Sequence, residues 1–138
     1  MPVLHSGELV EMPVDSNLIN IFSPQTLGDL LALKKQKPDI QVFAGGTYVL
    51  HGQGTKFPRL PGSIVSISQI EELSRIHRTE RYLELGSCVT LSKIGGIGGS
   101  IVPSILIQAI EGIASPPVRN LATFGGNICV QDRRLSTY

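Results

Sequence analysis

The stretch SPQTLGDLLALKKQKPDIQVFAGGT, residues 23–47, constrains the fold most, because a helix with two readable ends lies between short runs of β-formers. Thr26 and Asp29 have the spacing of a capping pair, in which a threonine hydroxyl accepts from the amide three residues on. Leu27, Leu30 and Leu31 fall on one helical face. Lys34 and Lys35 follow where positive charge suits the C-terminal end of the helix dipole. Lys-Pro-Asp at 37–39 stops the helix. INIF before it and IQVFA after it read as strands, and the second strand runs directly into Gly45-Gly46-Thr47. Strand, helix, strand and glycine turn make a compact α/β unit.

Beyond the glycine-rich loop HGQGTKFPRLPG, SIVSI reads as a further strand. SRIHRTERYLEL suggests two short strands around Thr79-Glu80, with Leu83 and Leu85 on one face. TLSKI begins a short helix capped by Thr90, and GGIGGSI at 95–101 is a connector. VPSILIQAIEGI is a second helix with Pro103 in its first turn and a buried stripe of Ile105, Leu106, Ala109, Ile110 and Ile113. The expected class is α+β: a 1–18 extension, a small α/β subdomain over 19–60, and part of a larger α+β subdomain over 61–138.

Charge excludes some partners. With 12 basic and 11 acidic residues the net charge is +1, which gives no electrostatic reason to expect nucleic acid or an anionic membrane. Any bound anion must be held by local geometry. Two cysteines, Cys88 and Cys129, cannot by themselves hold an iron–sulfur cluster, and both are expected to be buried. His5, His51 and His77 have no metal-ligand spacing and are expected at the surface. No leader and no membrane span is visible, so a cytoplasmic protein is expected.

Two diglycine runs remain, FAGGTYVL at 43–50 and VRNLATFGGNI at 118–128. Neither a P-loop nor a dinucleotide fingerprint explains the glycines. GQGTK places Thr55 between Gly54 and Lys56, and GGIGGSI has Ile101 at the third glycine position. Consecutive glycines open a row of N–H donors to phosphate oxygens, while Thr47, Thr123 and Asn127 add side-chain donors. The bland alternative is that each pair is a tight exit from a strand. Arg119, just before the second pair, is expected to brace its loop rather than meet phosphate.

These two runs, and the segment IVSISQIEELSRIHRTERYLELGSCVTLSKI between them, resemble the FAD-binding subunit or domain of the molybdenum-containing hydroxylases. That family includes xanthine dehydrogenase, aldehyde oxidase and carbon monoxide dehydrogenase. The resemblance spans about Phe22 to Ile128 and implies the PCMH-type FAD-binding fold. It implies that Ala44, Gly45, Gly46, Thr47 and Tyr48 form one side of a diphosphate clasp, and Thr123, Gly125, Gly126 and Asn127 the other. It also implies a molybdopterin-binding large subunit, a 2Fe-2S small subunit, and NAD or another electron acceptor. Tyr48 departs from the aspartate common there, and its ring is expected to pack. The family domain continues past GGNI, so the chain is expected to be a truncated or split form. Two other readings stand beside this one. The first is a different flavoenzyme of the same FAD fold. The second is a non-catalytic domain that no longer holds FAD.

Overall fold

The computed structural model describes residues 19–51 and 60–130. The expected extension, most of the 51–62 loop, and residues 131–138 lie outside the described residues.

The N-terminal unit is a three-stranded parallel sheet with a helix on it. β1 (Asn20–Phe22), α1 (Leu27–Gln36), β2 (Gln41–Phe43) and β3 (Ser63–Ser66) follow in chain order. β3 is central, pairing Ile21 with Ile64 and Val42 with Val65. A division at residue 60 leaves β3 apart from both strands with which it pairs. The α1 cap is reciprocal: Asp29 N donates to Thr26 Oγ1 at 3.1 Å, and the Thr26 hydroxyl donates to Asp29 Oδ2 at 2.7 Å. At the other end Lys34 Nζ reaches the Pro38 and Ile40 carbonyls, tying helix to following strand. The core beneath joins Leu30, Ile40, Val65, Ile67 and Ile70.

A 3₁₀ turn at Glu71–Ser74 leads into the antiparallel hairpin of β4 (Ile76–Arg78) and β5 (Leu83–Leu85). Thr79 closes its turn, donating from N to Tyr82 O and accepting Tyr82 N on its hydroxyl. Among the described residues four short helices follow: α2 (Leu91–Ile97), α3 (Ser104–Glu111), α4 (Pro116–Leu121) and α5 (Phe124–Ile128). They enclose a second core of Val89, Leu91, Ile94, Val102, Ile110 and Ile113, against which Leu83 and Leu85 pack. Full burial of such a side chain is worth about 1.5–3 kcal/mol, so this core is the main stabilising feature of the C-terminal unit.

Several expectations change. α1 buries Leu30 and packs Leu33, whereas Leu27 and Leu31 are exposed. The helix sits about one residue round from the expected face. In α3, Ile105 is 72% exposed and Ile107 takes its place against the core. Pro103 is the N-cap of α3 rather than part of its first turn. Gly95 and Gly96 continue α2, so the connector begins only at Gly98, where φ is +92°. Cys129 is exposed and Cys88 half-buried. His51 and His77 are at the surface, as expected; His5 lies outside the described residues.

Candidate functional site

The first diglycine leaves β2 as a strand exit, and its two members do different work. A Cβ on Gly45 would overlap the Leu121 carbonyl oxygen and lie 2.8 Å from the Leu121 carbonyl carbon. Only glycine lets the loop lie directly on that backbone. Gly46 instead has φ +70°, and a Cβ there would run into the Phe43 ring. Left-handed backbone of this kind is open to glycine and strained for other residues. A turn follows, in which Leu50 N donates to Gly46 O at 3.1 Å and His51 N to Tyr48 O at 3.0 Å. Among the described residues, the N–H groups of Gly45, Gly46, Thr47 and Tyr48 make no backbone hydrogen bond. Consecutive unspent amides at a glycine turn are the donor set that anions use.

The second diglycine is built differently. It opens α5 rather than leaving a strand, with Thr123 as N-cap and Gly126 N donating to Thr123 Oγ1 at 3.2 Å. The other early amides are also spent. Phe124 N donates to Val89 O at 2.8 Å, Gly125 N to Ser87 O at 2.9 Å, and Asn127 N to Thr123 O at 2.8 Å. A Cβ on Gly125 would lie 2.6 Å from Ser87 Cβ, so this glycine too is set by protein contact. Among the described residues, a Cβ on Gly126 would meet only its own capping oxygen, Thr123 Oγ1, at 2.8 Å. Thr123 and Asn127 are 7% and 6% exposed.

The two runs therefore meet. Gly45 rests on Leu121 and Ala122, the residues immediately before the Thr123 cap. Each pair has the same division of labour. Its first glycine (Gly45, Gly125) fits against backbone or Cβ of another segment, while the atoms nearest a Cβ on its second belong to its own segment, the Phe43 ring at Gly46 and the Thr123 hydroxyl at Gly126. That is why two adjacent glycines are needed where one would make a turn. The loops are unequal as donors: the first keeps a row of open amides, while the second offers an open glycine beside a capped helix start.

Other site residues fall as follows. Ala44 packs on the N-terminal core and Thr47 is half-buried. Tyr48 is 46% exposed, so its ring is not part of the core. Cys88 Sγ donates to Ile67 O at 3.6 Å, and burial raises its thiol pKa against an opposing hydrogen bond with Ser87. Arg119 braces the turn before it rather than the glycine loop after it: its Nη1 donates to the Ile113, Ala114 and Glu111 carbonyls at 2.8, 2.9 and 3.2 Å. Ser87 and the Leu121 carbonyl were not legible as site residues. Their part is played mainly by backbone atoms, which carry no sequence signal. Among the described residues no three His, Cys, Asp or Glu side chains are grouped to hold a metal.

Comparison with known proteins gives the family. Residues 17–137 match the FAD binding domain in molybdopterin dehydrogenase. The chain belongs to this family. It is 32% identical to aldehyde oxidase 1 of Bos taurus over 124 residues, covering 82% of this chain and 9% of that one. It is 36% identical to the xanthine dehydrogenase FAD-binding subunit of Escherichia coli O157:H7 over 110 residues, covering 75% of this chain and 36% of the subunit. The fold matches quinoline 2-oxidoreductase from Pseudomonas putida 86 with a TM-score of 0.69 and 25% identity, over 80% of this chain and 39% of that one. The chain thus spans less than two-fifths of each of these relatives. The expected α+β FAD-binding fold is borne out, and FAD is the cofactor of this molybdopterin dehydrogenase domain.

Proposed function

We propose that this chain supplies the diphosphate clasp of the FAD-binding subunit of a molybdopterin-dependent dehydrogenase or hydroxylase. The observation that carries the reading is the seating of Gly45 on Leu121 and Ala122, which sets an open amide row beside the second glycine pair. The amides of Gly45, Gly46, Thr47 and Tyr48, following Ala44, bind diphosphate oxygens. Gly126 lets the ligand come close, with Gly125 fixing its position and Thr123 and Asn127 as polar walls. These dipoles act without a lysine, which suits a chain of net charge +1.

Bound FAD would supply the redox chemistry, accepting electrons from partner centres and passing them to an acceptor. The protein's own part is to bind and orient. Partners of this reading are a molybdopterin-binding large subunit, a 2Fe-2S small subunit, and NAD or another acceptor, in the cytoplasm. Among the described residues no helix is long and apolar enough to cross a membrane. The subdomain division is drawn after β3, so that the parallel sheet stays whole.

The test is a flavin titration of the parent chain, Gly46→Val, Gly126→Val and the double variant, each checked for fold by circular dichroism. Gly46→Val must carry φ +70° on a branched residue, a strain of about 1–3 kcal/mol. Both single variants are expected to weaken FAD. The double variant is expected to lose less than the sum, because one ligand joins the two sites. A folded single variant that binds FAD like the parent reduces its loop to a turn. A parent chain that takes up no flavin favours the non-catalytic reading.

A further inference from the structure

Arg119 lies outside the proposed clasp, yet its helix leads directly into the Thr123 cap of the second glycine pair, which Val89 and Ser87 hold from the other side. α4 is a six-residue arm, Pro116–Leu121. From its last turn, Arg119 Nη1 reaches back to three carbonyls at and just beyond the end of α3: Glu111, Ile113 and Ala114. The Ala114 backbone is left-handed, with φ +46°, a conformation uncommon for a residue with a Cβ. Between α3 and α4 the chain turns within a few residues, and the guanidinium spans that turn. At the far end of the arm, Ala122 N donates to Val118 O at 2.8 Å and Ala122 O accepts from Leu91 N at 2.9 Å. The two residues after Arg119 lead to Leu121, on whose carbonyl Gly45 sits, and then to the Thr123 cap of α5.

We propose that Arg119 is a positioning residue for the FAD diphosphate: it fixes the angle of α4, and α4 sets the Leu121 carbonyl under Gly45 and the Thr123 hydroxyl over Gly126. The proposal rests on the diphosphate reading above for its ligand, but not for its geometry. Arg119 Nη1 is engaged with backbone carbonyls of the α3–α4 turn. Its charge is spent on the carbonyl end of α3, where a cation is favoured. Losing it frees α4 from the turn that precedes it while leaving both glycine pairs intact.

The experiment uses the full chain with Arg119→Met, which keeps an apolar stem without donors, and Arg119→Lys, whose ammonium has three N–H groups for the same three carbonyls. Two readouts are taken well below the melting temperature. The first is the FAD dissociation constant. Arg119→Met is expected to raise it roughly ten- to a hundredfold, since charge-assisted hydrogen bonds that hold the site are lost. Arg119→Lys is expected to recover part of that loss. The second is amide hydrogen exchange at Phe124, Gly125 and Gly126, expected to quicken in Arg119→Met and not at Val65 in the N-terminal sheet. Met and Lys variants that melt lower but bind FAD like the parent make Arg119 purely structural and overturn the proposal. So does unchanged exchange at 124–126, whatever happens to flavin. If exchange quickens but the parent binds no FAD, the geometric claim stands and the diphosphate reading falls.

Discussion

Gly45→Ala is expected to remove most FAD affinity from a chain that still folds. The added methyl has no free direction, because it overlaps the Leu121 carbonyl oxygen rather than a movable side chain. That carbonyl cannot easily retreat. The next residue, Ala122, is fixed by its N–H on Val118 O and its carbonyl on Leu91 N. The first loop must therefore lift from α4, taking its open amides with it. Misplacing a positioned group by about 1 Å costs on the order of a hundredfold, and overpacking of this kind costs about 1–3 kcal/mol of stability. Flavin titration beside urea denaturation reads both quantities. Gly62→Ala is the control, since a Cβ there meets nothing within 4 Å. Parent-like FAD binding by Gly45→Ala would show that the contact with Leu121 does not position the loop.

The largest stability loss is expected from Leu91→Ala. Leu91 is fully buried, opens α2 and packs among Val89, Ile94, Val102 and Ile110. Its backbone N–H also carries the hydrogen bond to Ala122 O, so the core and the site share this residue. Truncation leaves a cavity at a place where the backbone is pinned and collapse is limited. The expected cost is about 2–5 kcal/mol, a large share of the roughly 5–15 kcal/mol by which domains are stable. Leu31→Ala, at a residue 55% exposed, is expected to change stability by less than about 0.5 kcal/mol. With no tryptophan in the chain, circular dichroism at the helix band is the convenient readout. Equal losses in the two variants would contradict the assignment of the second core.

Local signals were read well, and for physical reasons. The Thr26–Asp29 cap, the Thr90 cap and the Thr79 turn depend on side chains within three residues of the backbone they satisfy. Such geometry is written into spacing. Faces were read less well. Leu27 and Leu31 share a stripe with Leu30, but the sheet is only three short strands wide and covers one side of α1. Ile105 and Ile107 exchange places because the face of a short helix is set by where the neighbouring helices press. The place of β3 between β1 and β2 was invisible, since parallel pairing is decided by distant strands. In the site, the glycine pairs stood out by composition, and Arg119 by position. What could not be seen was that Gly45 and Gly125 answer to a distant segment, while the nearest side chains to Gly46 and Gly126 are their own neighbours Phe43 and Thr123. The partners of the first two are a carbonyl of Leu121 and the backbone and Cβ of Ser87, and any residue could have supplied most of those atoms.

The central claim is that one diphosphate lies between two glycine pairs 80 residues apart in the chain. Its most direct measurement is an amide nuclear magnetic resonance titration of the ¹⁵N-labelled chain with FAD, and with ADP as the diphosphate alone. Both ligands are expected to move the amides of Gly45, Gly46, Thr47 and Tyr48 most, and those of Gly125, Gly126 and Asn127 together with them over the same concentration range. Ile76 to Leu85 in the hairpin should stay still. Shifts confined to one glycine pair, or absent from both while FAD binds elsewhere, would contradict the clasp.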